Sequence, residues 1–297
     1  MADLPDPSRT RPRRSALYMP GSNARALEKA KTLPADVLIL DLEDAVAPDM
    51  KAGARDQVCA AVQAGGYGGR ELVIRTNGPD TPWGREDVIA AAKAGPDAIL
   101  LPKVESAAQV QAAEALLKAH GAPGKTAIWC MMETPKGILH AEEIAAASSR
   151  LGALVMGTSD LVKDLNAQHT PLRLPVVTAL GLCLLAARAY GLAILDGVYL
   201  DLDDEAGFAA SCEQGLEFGF DGKTLIHPKT IDTANRVFAP TPEQVAHAHR
   251  IIAAFEAAMN EGKAVVLVDG KLVENLHVEQ AKRLAALAAR IEQMQAA

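Results

Sequence analysis

The residues best suited to chemistry are two carboxylates one βα repeat apart, Glu133 in Met132-Glu133-Thr134-Pro135 and Asp160 in Gly157-Thr158-Ser159-Asp160. At the ends of adjacent strands they would repel unless one held a proton or a cation lay between them. A hard divalent cation fits, because Mg²⁺ takes one or two carboxylates and leaves its other positions to water and substrate oxygens. The competing structural reading has Asp160 capping a helix that begins at Leu161 and Glu133 in an ion pair. Spacing alone leaves both open. Arg75, in Ile74-Arg75-Thr76-Asn77, can grip a carboxylate or carbonyl oxygen with paired hydrogen bonds, and it can also neutralise the acids of Asp41-Leu42-Glu43-Asp44. Those three acids read as an outer layer that fixes Arg75 and Lys103 or hydrogen-bonds metal-bound water. No cysteine or serine stands out as a nucleophile, and no HxxH or HExxH spacing points to zinc. A Schiff-base role for Lys103 is redundant beside metal carboxylates, and His227-Pro228 is as well explained by packing.

Such residues need a scaffold that gathers strand ends. Eight short apolar runs supply one: Ala16–Met19, Val37–Leu40, Leu72–Ile74, Ala98–Leu101, Ile128–Met131, Ala153–Met156, Ile194–Tyr199 and Phe220–Ile226. Ala-rich segments of helical period separate them, at the spacing of βα units, and short runs apolar on both faces are what buried parallel strands look like. Eight such units predict a closed (β/α)₈ TIM barrel over residues 15–238 rather than an open sheet. No GxGxxG follows the first strand, against a dinucleotide fold. Polar or charged residues follow nearly every run, and the carboxyl ends of the strands are where a barrel carries its active site.

Past Pro240 the pattern changes. Thr241-Pro242-Glu243 starts a helix to about Asn260. Ala264–Val268 and Lys271–Val273 flank Asp269-Gly270, a strong hairpin signal. A final helix spans about Val278 to Met294. Residues 239–297 thus read as a separate helix–hairpin–helix lid. Residues 1–14, with Arg9, Arg11, Arg13 and Arg14, read as a flexible basic arm, either solvated or half of an anion site.

A net charge of −7 argues against nucleic acid or an anionic membrane as partner. Aromatics at 4% leave Ala, Val, Leu and Ile to build the core. Cys59, Cys130, Cys183 and Cys212 form no CxxC and read as reduced thiols, and the first residues have no signal-peptide pattern, so a cytoplasmic location is expected. The apolar runs are too short to span a bilayer.

The strand-end segments Arg14–Gly21, Leu40–Val46, Ile74–Asn77, Leu101–Glu105, Met132–Gly137 and Gly157–Leu161, with Gly222–Pro228 and the C-terminal hairpin, resemble the HpcH/HpaI aldolase/citrate lyase superfamily, in its citrate lyase β-subunit-like branch. The resemblance implies Mg²⁺ (Mn²⁺ also being possible) on Glu133 and Asp160, and Arg75 against an acyl or keto-acid group. It implies a homotrimer or hexamer in which the lid closes over a neighbour's site. An aspartate of that lid often acts in catalysis; the matching position here is Glu274, whose carboxylate reaches about 1 Å further. The implied activity is a carbon–carbon lyase that cleaves or forms a 3-hydroxyacyl-CoA thioester such as malyl-CoA or citramalyl-CoA, giving an acyl-CoA and a 2-oxo acid. The alternatives are a citrate lyase β-type subunit acting on a carrier-bound citryl thioester, or a malyl-CoA-type thioesterase or synthase. Thr76, Asn77, Lys103 and the backbone near Thr134 and Gly157 are candidates to bind substrate oxygens alongside Arg75 and Glu133. Arg14 and Arg25 are candidates for the CoA phosphates.

Overall fold

Eight parallel strands, each hydrogen-bonded to the next, close into a barrel when β8 pairs with β1 through Ala16 and Thr224. The computed structural model describes residues 11–296. In chain order the elements are β1 (Ser15–Pro20), α1 (Ala24–Ala30), β2 (Val37–Asp41), α2 (Lys51–Ala64), β3 (Glu71–Arg75), α3 (Gly84–Ala94), β4 (Ala98–Leu101), α4 (Ala107–Ala119), β5 (Ala127–Met132), α5 (Pro135–Leu139), α6 (Ala141–Ala145), β6 (Leu151–Met156), α7 (Thr158–Asp164), α8 (Val177–Ala189), β7 (Ala193–Asp196), α9 (Glu205–Phe218), β8 (Gly222–Leu225) and α10 (Ile231–Val237). All eight expected strands are present. The seventh is shorter than the apolar run: it ends at Asp196, whose buried carboxylate accepts from Lys223 Nζ at 2.7 Å and from Arg173 Nη1 at 2.7 Å.

Strand alternation sorts the side chains into two layers. Ala16, Val37, Ile39, Val73, Leu100, Trp129, Val155 and Leu195 fill the barrel interior. Their neighbours in sequence, among them Leu17, Leu38, Leu40, Ile74, Ile99, Ile128 and Leu154, face outward under the helices and are equally buried. Both faces are therefore apolar, which is why each strand reads as a continuous run. Each buried Val, Leu or Ile among them contributes about 1.5–3 kcal/mol relative to exposure, so this double layer carries the fold.

The floor of the barrel corrects the expectation of an arm up to residue 14. Arg13 and Arg14 are buried. Arg13 Nε and Nη2 meet Glu71 at 2.6 and 2.8 Å, and its guanidinium lies 5.3 Å from the centre of the Trp129 ring. Arg14 forms the same paired contact with Asp36, at 2.8 and 2.7 Å. Both pairs stand at the amino ends of the strands. Arg9 lies outside the described residues.

The chain divides into two compact units, one of residues Arg13–Phe238 and one that takes in the chain from Ala239 onward. In the second, α11 (Pro242–Asn260) begins with a capping box formed by Thr241 and Gln244. It is followed by β9 (Val266–Val268), β10 (Lys271–Val273) and α12 (Asn275–Ala296). Asp269 and Gly270 both have positive φ, +49° and +77°, as a two-residue hairpin turn requires. The Asp269 carboxylate accepts from Arg250 Nη2 at 2.9 Å and ties the turn back to α11. Phe255, Val268, Val273 and Val278 make this unit's small core. Among the described residues no helix is long and apolar enough to cross a membrane.

Candidate active site at the barrel mouth

The mouth is built from the carboxyl ends of β1 to β6. Arg75, the last residue of β3, points inward by the same parity that puts Val73 inside. Its Nε and Nη2 each lie 2.6 Å from an oxygen of Asp41, the residue paired with it on β2. Nη1 reaches Glu43 at 2.9 Å and Asp44 at 3.3 Å. The guanidinium stacks 4.8 Å from the centre of the Tyr18 ring, and Nη1 lies 3.8 Å from Met131 Sδ. Burial opposes the charge on Arg75, but the hydrogen bonds and charge of Asp41 outweigh it and raise its pKa.

The acidic loop is rigid by construction. Asp41 accepts from the backbone N–H groups of Glu43 and Ala45 at 2.9 and 3.1 Å while holding Arg75. The buried Lys51 donates to the carbonyls of Leu42 and Glu43 from below, at 3.0 and 2.9 Å. Asn77 donates to the Leu42 carbonyl at 2.9 Å. Burial, with the charges of Asp44 and Asp41 adding, pushes the Glu43 carboxyl up to about 7.

Glu133 follows β5 and is buried. Its Oε1 accepts the backbone N–H of Lys103 at 2.8 Å, and that residue adopts the left-handed region, φ +49°, to deliver it. Gly157, after β6, closes the other side: a Cβ there would collide with the Cβ and Oε2 of Glu133. Burial, then the charges of Glu43 and Asp160, push the Glu133 carboxyl up to about 7. Asp160 sits inside the first turn of α7, a helix that starts at Thr158 with Gly157 as its N-cap and no side-chain cap bond. The capping role open for Asp160 in the sequence is therefore not the one it fills. Lys103 Nζ joins the cluster, 3.4 Å from Asp160 and 3.9 Å from Glu43.

Five carboxylates, those of Asp41, Glu43, Asp44, Glu133 and Asp160, thus face two cations, Arg75 and Lys103. This donor set fits a divalent cation: it is all oxygen and carries surplus negative charge. Among the described residues no cluster of three or more His, Cys, Asp or Glu side chains forms a ready-made metal cage. An ion here would rest on two carboxylates and on water or substrate oxygens, as Mg²⁺ does.

Several other expected residues have groups taken up or buried within the fold. The side-chain amide of Asn77 is committed to Leu42 and Asp87, and Thr76 is fully buried beside it. The Gly157 N–H belongs to the Met132 carbonyl, so it is not free to donate to a substrate. Thr134 Oγ1 caps α5 by accepting from the Gly137 N–H at 3.0 Å. Arg14, a candidate for CoA phosphates, is locked on Asp36 at the opposite end of the barrel. Arg25 is exposed in the first turn of α1, on the mouth side. Glu274 is exposed in the C-terminal unit, where its carbonyl accepts from the first turn of α12. Tyr18 and Met131 were missed in the sequence; their inward parity with Ala16 and Trp129 was the available signal.

The chain is 52% identical over 277 residues to a (3S)-malyl-CoA thioesterase of Cereibacter sphaeroides, covering 93% of this chain and 95% of the relative. It is 39% identical over 279 residues to the citrate lyase subunit beta of Escherichia coli, covering 92% of each. Among solved structures, the protein CitE of Mycobacterium tuberculosis in complex with magnesium, acetoacetate and coenzyme A superposes with a TM-score of 0.75 at 27% identity, covering 94% of this chain and 99% of that one. Residues 14–228 match the family HpcH/HpaI aldolase/citrate lyase, and this chain, with its closed barrel and acidic mouth, belongs to that family.

Proposed function

We propose that this protein acts on a 3-hydroxyacyl thioester of coenzyme A of the malyl-CoA class, with Mg²⁺ as its ion, and that it hydrolyses the thioester. The observation that carries this reading is the convergence of Glu133, Asp160 and Lys103 at the mouth of a barrel 52% identical along its length to a (3S)-malyl-CoA thioesterase. Glu133 and Asp160 would hold the ion, and Mn²⁺ is the expected substitute. Bound there, it would polarise substrate oxygens and balance the surplus negative charge of the mouth.

The chain's own residues do the rest. Arg75, clamped by Asp41, offers a fixed positive charge to the substrate carboxylate or to a developing oxyanion without having to reorganise. Burial of Glu133 and the dry apolar layer beneath it strengthen these interactions. Glu274, supplied by the C-terminal unit of a neighbouring copy in a trimer or hexamer, is the proposed proton-transfer group. Arg25 is the remaining candidate for the CoA phosphates.

A second reading keeps site and substrate but breaks the carbon–carbon bond instead. It is supported by the 39% identity to a citrate lyase subunit beta. The two are told apart by product balance. Hydrolysis of malyl-CoA releases one free thiol and malate, with no glyoxylate. Cleavage releases glyoxylate and acetyl-CoA in equal amounts, with no free thiol. Incubation of the purified protein with malyl-CoA and Mg²⁺, scored for thiol and glyoxylate separately, is the test. Neither product would overturn both readings and leave a carrier-bound citryl thioester as the substrate to try.

A further inference from the structure

Lys103 stands out among the charged residues of the mouth because its backbone and its side chain act on different carboxylates of one cluster. Its φ of +49° is uncommon for a residue with a Cβ. The turn is held in that shape by its surroundings. The Val104 N–H donates to the Met131 carbonyl at 3.3 Å, and the Val104 carbonyl is packed against Gly137 so closely that a Cβ there would clash. The result is a backbone N–H aimed at Glu133 Oε1. The side chain leaves the same turn half-exposed and sets Nζ 3.4 Å from Asp160 Oδ2 and 3.9 Å from Glu43 Oε1. Arg75, the only other cation among the described groups of this cluster, is committed to Asp41, Glu43 and Asp44.

We propose that Lys103 is a positioning residue that tunes the affinity of the carboxylate pair for a divalent cation: its backbone fixes Glu133, while its ammonium competes with the cation for Asp160. This rests on the reading of Glu133 and Asp160 as the ion's ligands. A monovalent charge already at Asp160 offsets part of the attraction the pair exerts on an incoming ion, and repels that ion directly. The ammonium therefore keeps the ion exchangeable, and a released product that shares the ion's coordination is not trapped with it.

The backbone and the side chain can be separated by substitution. Lys103→Arg keeps the charge. Lys103→Met removes it and keeps a similar length. Lys103→Gly removes it, relaxes the left-handed turn and retains the N–H. The probe is Mn²⁺ alone, titrated at pH 8 into each purified full-length protein and read by electron paramagnetic resonance of the free ion. The expected result is Mn²⁺ binding at least about tenfold tighter in Lys103→Met and Lys103→Gly than in the wild type, with Lys103→Arg within about threefold of it. Equal or weaker binding in both charge-removing variants would overturn the proposal. A collapsed turn would weaken Lys103→Met but spare Lys103→Gly, so the glycine variant decides between charge and shape. Failure of the underlying reading looks different: the wild type would bind no Mn²⁺, or Glu133→Gln would bind it as well as the wild type.

Discussion

Arg75 and Asp41 sit opposite each other on β3 and β2 and share two parallel hydrogen bonds of 2.6 Å, both partners being buried. Removing the Asp41 charge strips the buried Arg75 of its paired hydrogen bonds and leaves only Glu43 and Asp44 to balance it. Asp41→Asn should therefore lower the unfolding free energy by about 3 kcal/mol, measured by urea denaturation. It also frees the Arg75 guanidinium and the Glu43–Ala45 turn, so turnover should fall even where the protein remains folded. An unchanged denaturation midpoint would mean that the pair adds nothing to stability.

Glu133→Gln keeps the shape of the side chain and can still accept the Lys103 N–H, so the fold should survive with a normal circular dichroism spectrum. Loss of an outer-shell partner of a metal site typically costs about 10–100-fold in affinity or activity, and loss of a ligand should cost at least that. The expected outcome is metal-dependent turnover reduced by at least about 100-fold. Near-normal activity would remove Glu133 from the mechanism.

Gly157→Ala tests the same carboxylate from the other side. The added methyl would collide with Glu133 Cβ and Oε2, so the acid must move. We expect Mn²⁺ binding weakened by about tenfold or more, against a smaller change in thermal midpoint. Unaltered Mn²⁺ binding would show that the acid has room the packing does not reveal.

Asp196 gives the protein an acid limit that is unrelated to the mouth. Burial alone would raise its pKa, but Lys223 and Arg173 outweigh burial and hold the carboxyl below its ordinary value. The unfolded chain, with a pKa of about 3.9, then takes up the proton first as pH falls. The stability from this group is complete above about pH 4 and is lost as pH drops through the depressed value. Asp196→Asn should be less stable than the wild type at pH 7, and its unfolding free energy should fall less steeply below about pH 4. Parallel pH–stability curves for the two proteins would count against this assignment.

Glu274 is exposed and begins α12 through its backbone. Glu274→Gln should leave the thermal midpoint unchanged and reduce turnover, and Glu274→Asp should restore part of the loss. A fully active glutamine variant would exclude this carboxylate from proton transfer.

The barrel was legible because its strands are buried on both faces and read as continuous apolar runs, and because strand ends announce themselves with charged residues. The proposed pair Glu133 and Asp160 stands out for the same reason, one residue directly after β5 and the other in the first turn of the helix after β6. Arg13 and Arg14 were not: flanked by Pro and more arginines they look solvated, and only Glu71 and Asp36, distant in sequence, bury them. The side chains of Thr76 and Asn77 turn away from the mouth for a simpler cause. With Arg75 facing inward, Thr76 must face the helix layer, and the side chain of Asn77 is taken by Asp87 of α3. The left-handed turn at Lys103 had no sequence signal, since nothing local marks a lysine for positive φ; it is imposed by Gly137 and Glu133.

The barrel ends in an arginine stacked on an aromatic ring at both its floor and its mouth, Arg13 on Trp129 and Arg75 on Tyr18, with a dry aliphatic plug between. At the floor, Glu71 holds Arg13 through two hydrogen bonds. The interior is thus a filled core, and the acidic cluster stands at one end of it. On the proposed function, substrate and products would enter and leave by one threshold, between Lys103 and the acidic loop, and each turnover would have to empty it before the next began.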